Sequence, residues 1–195
     1  MLRTLIASIV NPRFRRYHVA KKAFEEFCIG LSLTPDGPTD DQREMARNDP
    51  HMNRVEAELK YVATECERIY DFYNAAACHY ELGMLYNLQG RWPDAGRSLI
   101  DALEAVNNRY GGPPDPSRPW AMHLDEKLFQ MDRDSKRLVS GCRFQLGLSN
   151  MVTNDFEHAK EQFQKSLDID REIGDIEGEK LCEIGLQKCE KADTK

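Results

Sequence analysis

The chain has 195 residues, of which 31% are charged and 41% hydrophobic, and its formal net charge is -6. That length suffices for one domain or a short solenoid with a good core, and the acidic balance argues against nucleic acid as the main partner. No apolar run approaches the ~18–20 residues that span a bilayer, and six cysteines placed singly, without CxxC or Cys/His ligand spacing, read as reduced thiols of an intracellular, non-secreted protein.

Charge is unevenly spread. From Met1 to Ala23 there are six Lys or Arg and no acid, so the rest of the chain carries -12 of the net -6. Within residues 1–12, Leu2, Leu5, Ile6, Ile9 and Val10 share one helical face, beside Arg3. Such an acid-free amphipathic start fits a mitochondrial presequence, with Arg15-Arg16-Tyr17 suited to its removal. It fits equally a helix that caps the fold of a cytoplasmic protein, and it also fits a basic helix in peripheral contact with an anionic membrane. These readings stay open.

From 13 to about 33, Phe14, Tyr17, Ala20, Phe24, Phe27, Cys28 and Leu31 keep helical spacing, until Thr34-Pro35-Asp36-Gly37-Pro38 ends the pattern. Thr39 or Asp40 then caps a short polar helix up to Arg47, which Asp49-Pro50 interrupts. Residues 51–73 form a longer helix with Val55, Leu59, Val62, Cys66, Ile69, Tyr70 and Tyr73 as its stripe. Nothing in the sequence forces a break between Asp71 and Asn74, and a bend is expected there.

The stretch from Cys78 to Val106 is the most informative. Tyr80, Leu82, Leu85 and Tyr86 mark one helix, and Ala95, Leu99, Ala102 and Leu103 mark the next. Gly83, Ala95 and Ala102 are small where two helices must approach closely. Gly90 supplies the chain reversal, and Trp92-Pro93 opens the second helix. Residues 142–167 repeat this with Leu146-Gly147, Asn154, Phe156, Ala159 and Phe163, and the intervals from the Leu-Gly pair to the aromatic elbow and to the small residue are identical. Asn150 stands in place of Tyr86 and Asn154 in place of Gly90. A third, weaker copy begins at Ile184-Gly185.

This pattern resembles the tetratricopeptide repeat (TPR), a helix–turn–helix unit of roughly 34 residues. The resemblance implies an all-α fold, a short stack of helical hairpins. The N-terminal helices at 13–73 would pack against it, and residues 74–195 would hold about two repeats and a C-terminal capping helix. Because the two Leu-Gly pairs lie 64 residues apart, a Pro-rich insertion at 107–124 and an added helical segment near Asp125–Asp134 separate the repeats. In the insertion, Tyr110 and Trp120 would either anchor a partner or fold back over a gap in the stack. Helices at 135–152, 155–173 and 176–191 complete the chain.

No metal, cofactor or catalytic site is expected. There is no GxGxxG, phosphate loop, HExxH or GxSxG, and the five histidines have no ligand spacing. Cys78-His79 are the only adjacent pair, and neighbouring helical residues diverge by about 100°, so a core cysteine beside a packed histidine is the simpler reading. In tetratricopeptide repeats the first helix of each pair lines a concave groove. By that resemblance Tyr80, Met84, Asn87 and Leu88 would line it in one repeat, and Phe144, Leu148, Met151 and Val152 in the next. These positions lack the Lys/Asn/Arg set with which one subfamily grips a chaperone's C-terminal carboxylate. An apolar groove suits a partner's amphipathic helix or hydrophobic peptide instead. The expectation is a non-catalytic interaction protein, an adaptor or scaffold. The alternative is a structural subunit of a larger complex, mitochondrial if the presequence reading holds, in which the repeats serve as packing surface; the groove residues would otherwise pack against the helices at 13–33 or 51–73.

Overall fold

The computed structural model describes residues 12–31, 38–110, 124 and 127–193. In them the apolar stripes become eight α-helices: α1 (Pro12–Gly30), α2 (Asp40–Asn48), α3 (Pro50–Arg68), α4 (Phe72–Leu88), α5 (Trp92–Arg109), α6 (Arg133–Val152), α7 (Phe156–Ile173) and α8 (Ile176–Asp193). No strand occurs among the described residues. The amphipathic segment 1–10, Trp120 and most of the Pro-rich insertion lie outside them. Local chemistry sets the boundaries. Thr39 and Gln42 form a reciprocal capping box on α2, while Asp49 accepts from the His51 N–H at 2.6 Å with Pro50 at the first turn of α3.

The helices pack as a stack. α1 lies against α3, α3 against α4, and α4 against α5; α6 rests on both α4 and α5, α7 on α6, and α8 on α7. The first members of the pairs (α1, α4, α6) and α8 also touch one another in succession, whereas no comparable packing joins α3 to α5 or α5 to α7. The layer made by α1, α4, α6 and α8 is therefore the tighter one, and the stack is concave on that side. One expectation needs correction. The helix expected across 51–73 is divided, and its first part pairs with α1 as a hairpin member, with α2 inserted between them. Near the helical segment expected at Asp125–Asp134, the described residues Leu124 and Lys127 are helical and a 3-10 turn follows at Leu128–Gln130 before α6 begins.

Four connections reverse the chain in the same way. Asp71, Arg91, Asp155 and Asp175 each donate their backbone N–H to the carbonyl five residues earlier, at 2.8–2.9 Å. The residue before each one sits in the left-handed region: Tyr70 (φ 61°), Gly90 (70°), Asn154 (62°) and Gly174 (67°). These are the paired bonds of the Schellman motif. At three of the four, the aspartate then caps the following helix. Glycine and asparagine adopt this conformation readily; tyrosine does not. Tyr70 is 79% exposed, and its ring makes an edge contact with Phe72, centroids 6.0 Å apart. Tyr70→Gly is expected to raise stability by up to about 1 kcal/mol. A lower melting temperature would mean that the ring contact outweighs the backbone strain.

Between α6, α7 and α8 lies a buried polar cluster. Asp170, 3% exposed, accepts from the Ser140 hydroxyl and from the Cys182 thiol (3.5 Å), and Ser140 Oγ lies 2.9 Å from Ser166 Oγ. Burial pushes the Asp170 carboxyl above the ordinary aspartate range, opposed by the hydrogen bonds from Ser140 and Cys182 and reinforced by the nearby Asp175 and Glu179 charges. The folded state then holds this proton more tightly than the unfolded chain does. Its contribution to stability is full below the unfolded value and is lost as pH rises through the folded one. Asp170→Asn removes that loss. The melting-temperature difference, variant minus wild type, is expected to grow as pH rises from 4 to 8 (about the range between free aspartate and neutrality). A flat difference contradicts this account.

Candidate functional site

The concave layer opens into a groove of about 720 Å³ between the C-terminal halves of α1, α4 and α6 and the middle of α8. Its walls are mostly apolar. Met84 and Leu88 come from α4; Phe144, Leu148, Met151 and Val152 from α6; Phe24 and Ile29 from α1; Leu181 and Ile184 from α8; and Trp92 closes one edge. Ile29, Val152, Leu181 and Ile184 are exposed large hydrophobics, so the groove is open to solvent on both flanks.

Seven of the eight residues expected to line a groove do so: Met84, Asn87, Leu88, Phe144, Leu148, Met151 and Val152. Tyr80 does not line it. Its ring packs on α6 at Gly141, where an added Cβ would come within 3.0 Å of the ring and 2.9 Å of the hydroxyl. Burial raises the phenol's pKa. Asn87, the one polar member of the set, is tied to α6 on the groove floor. Its amide donates to the carbonyl and side chain of Gln145 (3.2 and 2.9 Å) and accepts from the Ser149 hydroxyl at 2.6 Å. It latches α4 to α6, with its amide N–H groups already committed to Gln145.

Tyr110 likewise serves the fold. Its hydroxyl lies 2.5 Å from Asp132 Oδ2 and 3.1 Å from Ser135 Oγ, and the Arg109 guanidinium stacks on its ring while pairing with Asp132 at 3.0 Å. This joins the end of α5 to the start of α6 across the insertion. Trp92 at the groove's edge lies under the Arg43 guanidinium, 5.4 Å from the ring centroid, and α2 is fixed there by Arg47 donating to the Gln89 carbonyl at 2.7 Å.

Sequence reasoning did not anticipate the contributions of α1 and α8, or the charged pair in the wall. Phe24 and Cys28 read as core, and the α8 residues as an end cap; the exposed Ile29, Leu181 and Ile184 were the available signal. In the wall, Glu81 is 1% exposed and its Oε1 accepts from the Lys21 ammonium. Burial pushes the Glu81 carboxyl above the usual range, against the pull of Lys21.

Cys78 is fully buried, with its thiol pushed up by burial, and the neighbouring His79 turns away to lie 2.8 Å from Glu67 Oε1. Cys182 is likewise pushed up to about 12 by burial. These thiols are poor nucleophiles. Among the described residues no three His, Cys, Asp or Glu converge as metal ligands, and no helix is long and apolar enough to cross a membrane. In comparisons with known proteins, no family model, no curated protein and no solved structure matches the chain.

Proposed function

We propose that this chain is a non-catalytic protein-binding module of the tetratricopeptide kind, an adaptor or scaffold whose concave groove takes an amphipathic helix of a partner protein. The observation that supports this most is the groove itself. It is apolar and solvent-open, and it is long enough to involve all four helices of the concave layer, with exposed hydrophobics along its flanks. A partner helix with residues spaced i, i+3, i+4 and i+7 would bury them. The equivalence of the Gly83 and Gly147 positions and of the Schellman turns supports the repeat reading. A structural subunit would use the same surface in a fixed assembly.

Val152→Glu combined with Ile184→Glu tests the proposal. Both side chains are more than 40% exposed, so stability should shift by no more than about 0.5 kcal/mol per site. Native pull-down of the tagged full-length chain, quantified by mass spectrometry, should show the wild type's partners lost from the double variant. Fixed one-to-one ratios would mark a complex subunit, and several substoichiometric partners an adaptor. Partners retained undiminished by the double variant would refute groove binding.

A further inference from the structure

The apolar wall of the groove is interrupted where α1 meets α4. Glu81 lines the groove there, yet its side chain is only 2% exposed. Its Oε1 accepts from Lys21, but its Oε2 has no hydrogen-bond partner among the described residues. Lys21 is also shared, for its ammonium lies 3.4 Å from Glu25 Oε1. Two carboxylates thus divide one ammonium, and the adjoining groove residues Phe24 and Met84 have no donor to add. A buried carboxylate oxygen without a donor is costly and rare in native folds, so this one asks for a reason.

We propose that this point recognises one cationic side chain. The helix seated in the groove carries a single lysine or arginine within its apolar face, and that head group donates to Glu81 Oε2. This rests on the groove being a helix-binding surface. A long basic side chain suits the place because its methylene stem covers apolar wall while its charge reaches the carboxylate. Lys21, whose side chain is 35% exposed, is the flexible cover that shifts to admit it. Binding brings the group to two carboxylates and two cations, which balances the charge. An acidic side chain at the same place would meet Glu81 and Glu25 and be repelled, so the site also sets which helices are refused.

The test is selection from a phage-displayed library of helical peptides randomised along the apolar face, panned on the full-length chain and on Glu81→Gln. On the wild type, selected helices are expected to hold Lys or Arg at one fixed apolar-face position. Replacing that residue by norleucine in a synthetic peptide should weaken binding by about 10-fold or more. On Glu81→Gln the preference should disappear. The norleucine exchange uses only wild-type protein, so it decides the matter even if Glu81→Gln fails to fold. Apolar helices selected with no fixed basic position, or with a fixed acidic one, would overturn the inference and leave the groove reading standing. Selection of no helical peptide would remove the groove reading and the inference with it.

Discussion

Phe163→Ala should destabilise the protein by about 3–5 kcal/mol, a large share of the ~5–15 kcal/mol that holds a domain folded. Phe163 is fully buried on α7 and is clasped from two sides. The ring lies 2.7 Å from where a Cβ would stand on Gly147 of α6, and 2.9 Å from the same position on Gly185 of α8. The Phe144 ring adds a tilted contact with centroids 5.6 Å apart. Both glycines are thus the hole into which this one ring fits. Chemical denaturation measures the loss. A change below about 1 kcal/mol, the range of a surface substitution, would mean that α8 does not seat on α7 as described.

Gly83→Leu should cost about 1–3 kcal/mol or more by overpacking. A Cβ on Gly83 would lie 2.6 Å from Leu99 Cγ and Cδ2, and Leu99 is fully buried on α5. The α4–α5 hairpin therefore uses the same device as the α6–α7 hairpin, with Leu99 in the role of Phe163. Because the conflict is with one side chain, Leu99→Ala in the Gly83→Leu background should recover part of the loss. The double variant should then be more stable than the sum of the single effects implies. Strict additivity would show that the two helices do not meet at these residues.

Those two contacts explain why this part of the fold was legible. A glycine opposite a large apolar residue leaves a trace in sequence, and the trace recurs at a fixed interval in α4–α5 and α6–α7. The α1–α3 hairpin has no such glycine at its contact and is split by α2, so its equivalence appears only in three dimensions. The α3–α4 boundary was hidden because the left-handed position holds Tyr70, where Gly90 and Gly174 announce the equivalent turns. Its trace was the Asp71-Phe72 pair, which matches Asp155-Phe156 after Asn154. In the groove, apolar residues on α4 and α6 could be placed from helical phase alone. Tyr80 could not, because its position depends on Gly141, 61 residues later. Lys21 and Glu81 are 60 residues apart, and in sequence each reads as an ordinary solvated charge.

The central claim is that a partner lies across α4 and α6 on the concave face, and the methionine methyl groups report on it directly. Met84 and Met151 line the groove, Met52 and Met131 are buried elsewhere in the core, and Met45 is exposed on α2. With ¹³C-methyl methionine in the full-length chain, the methyl spectrum would be recorded before and after adding the partner recovered by pull-down. The account predicts that the Met84 and Met151 signals move while those of Met45, Met52 and Met131 stay in place. Binding that leaves Met84 and Met151 unmoved would contradict it.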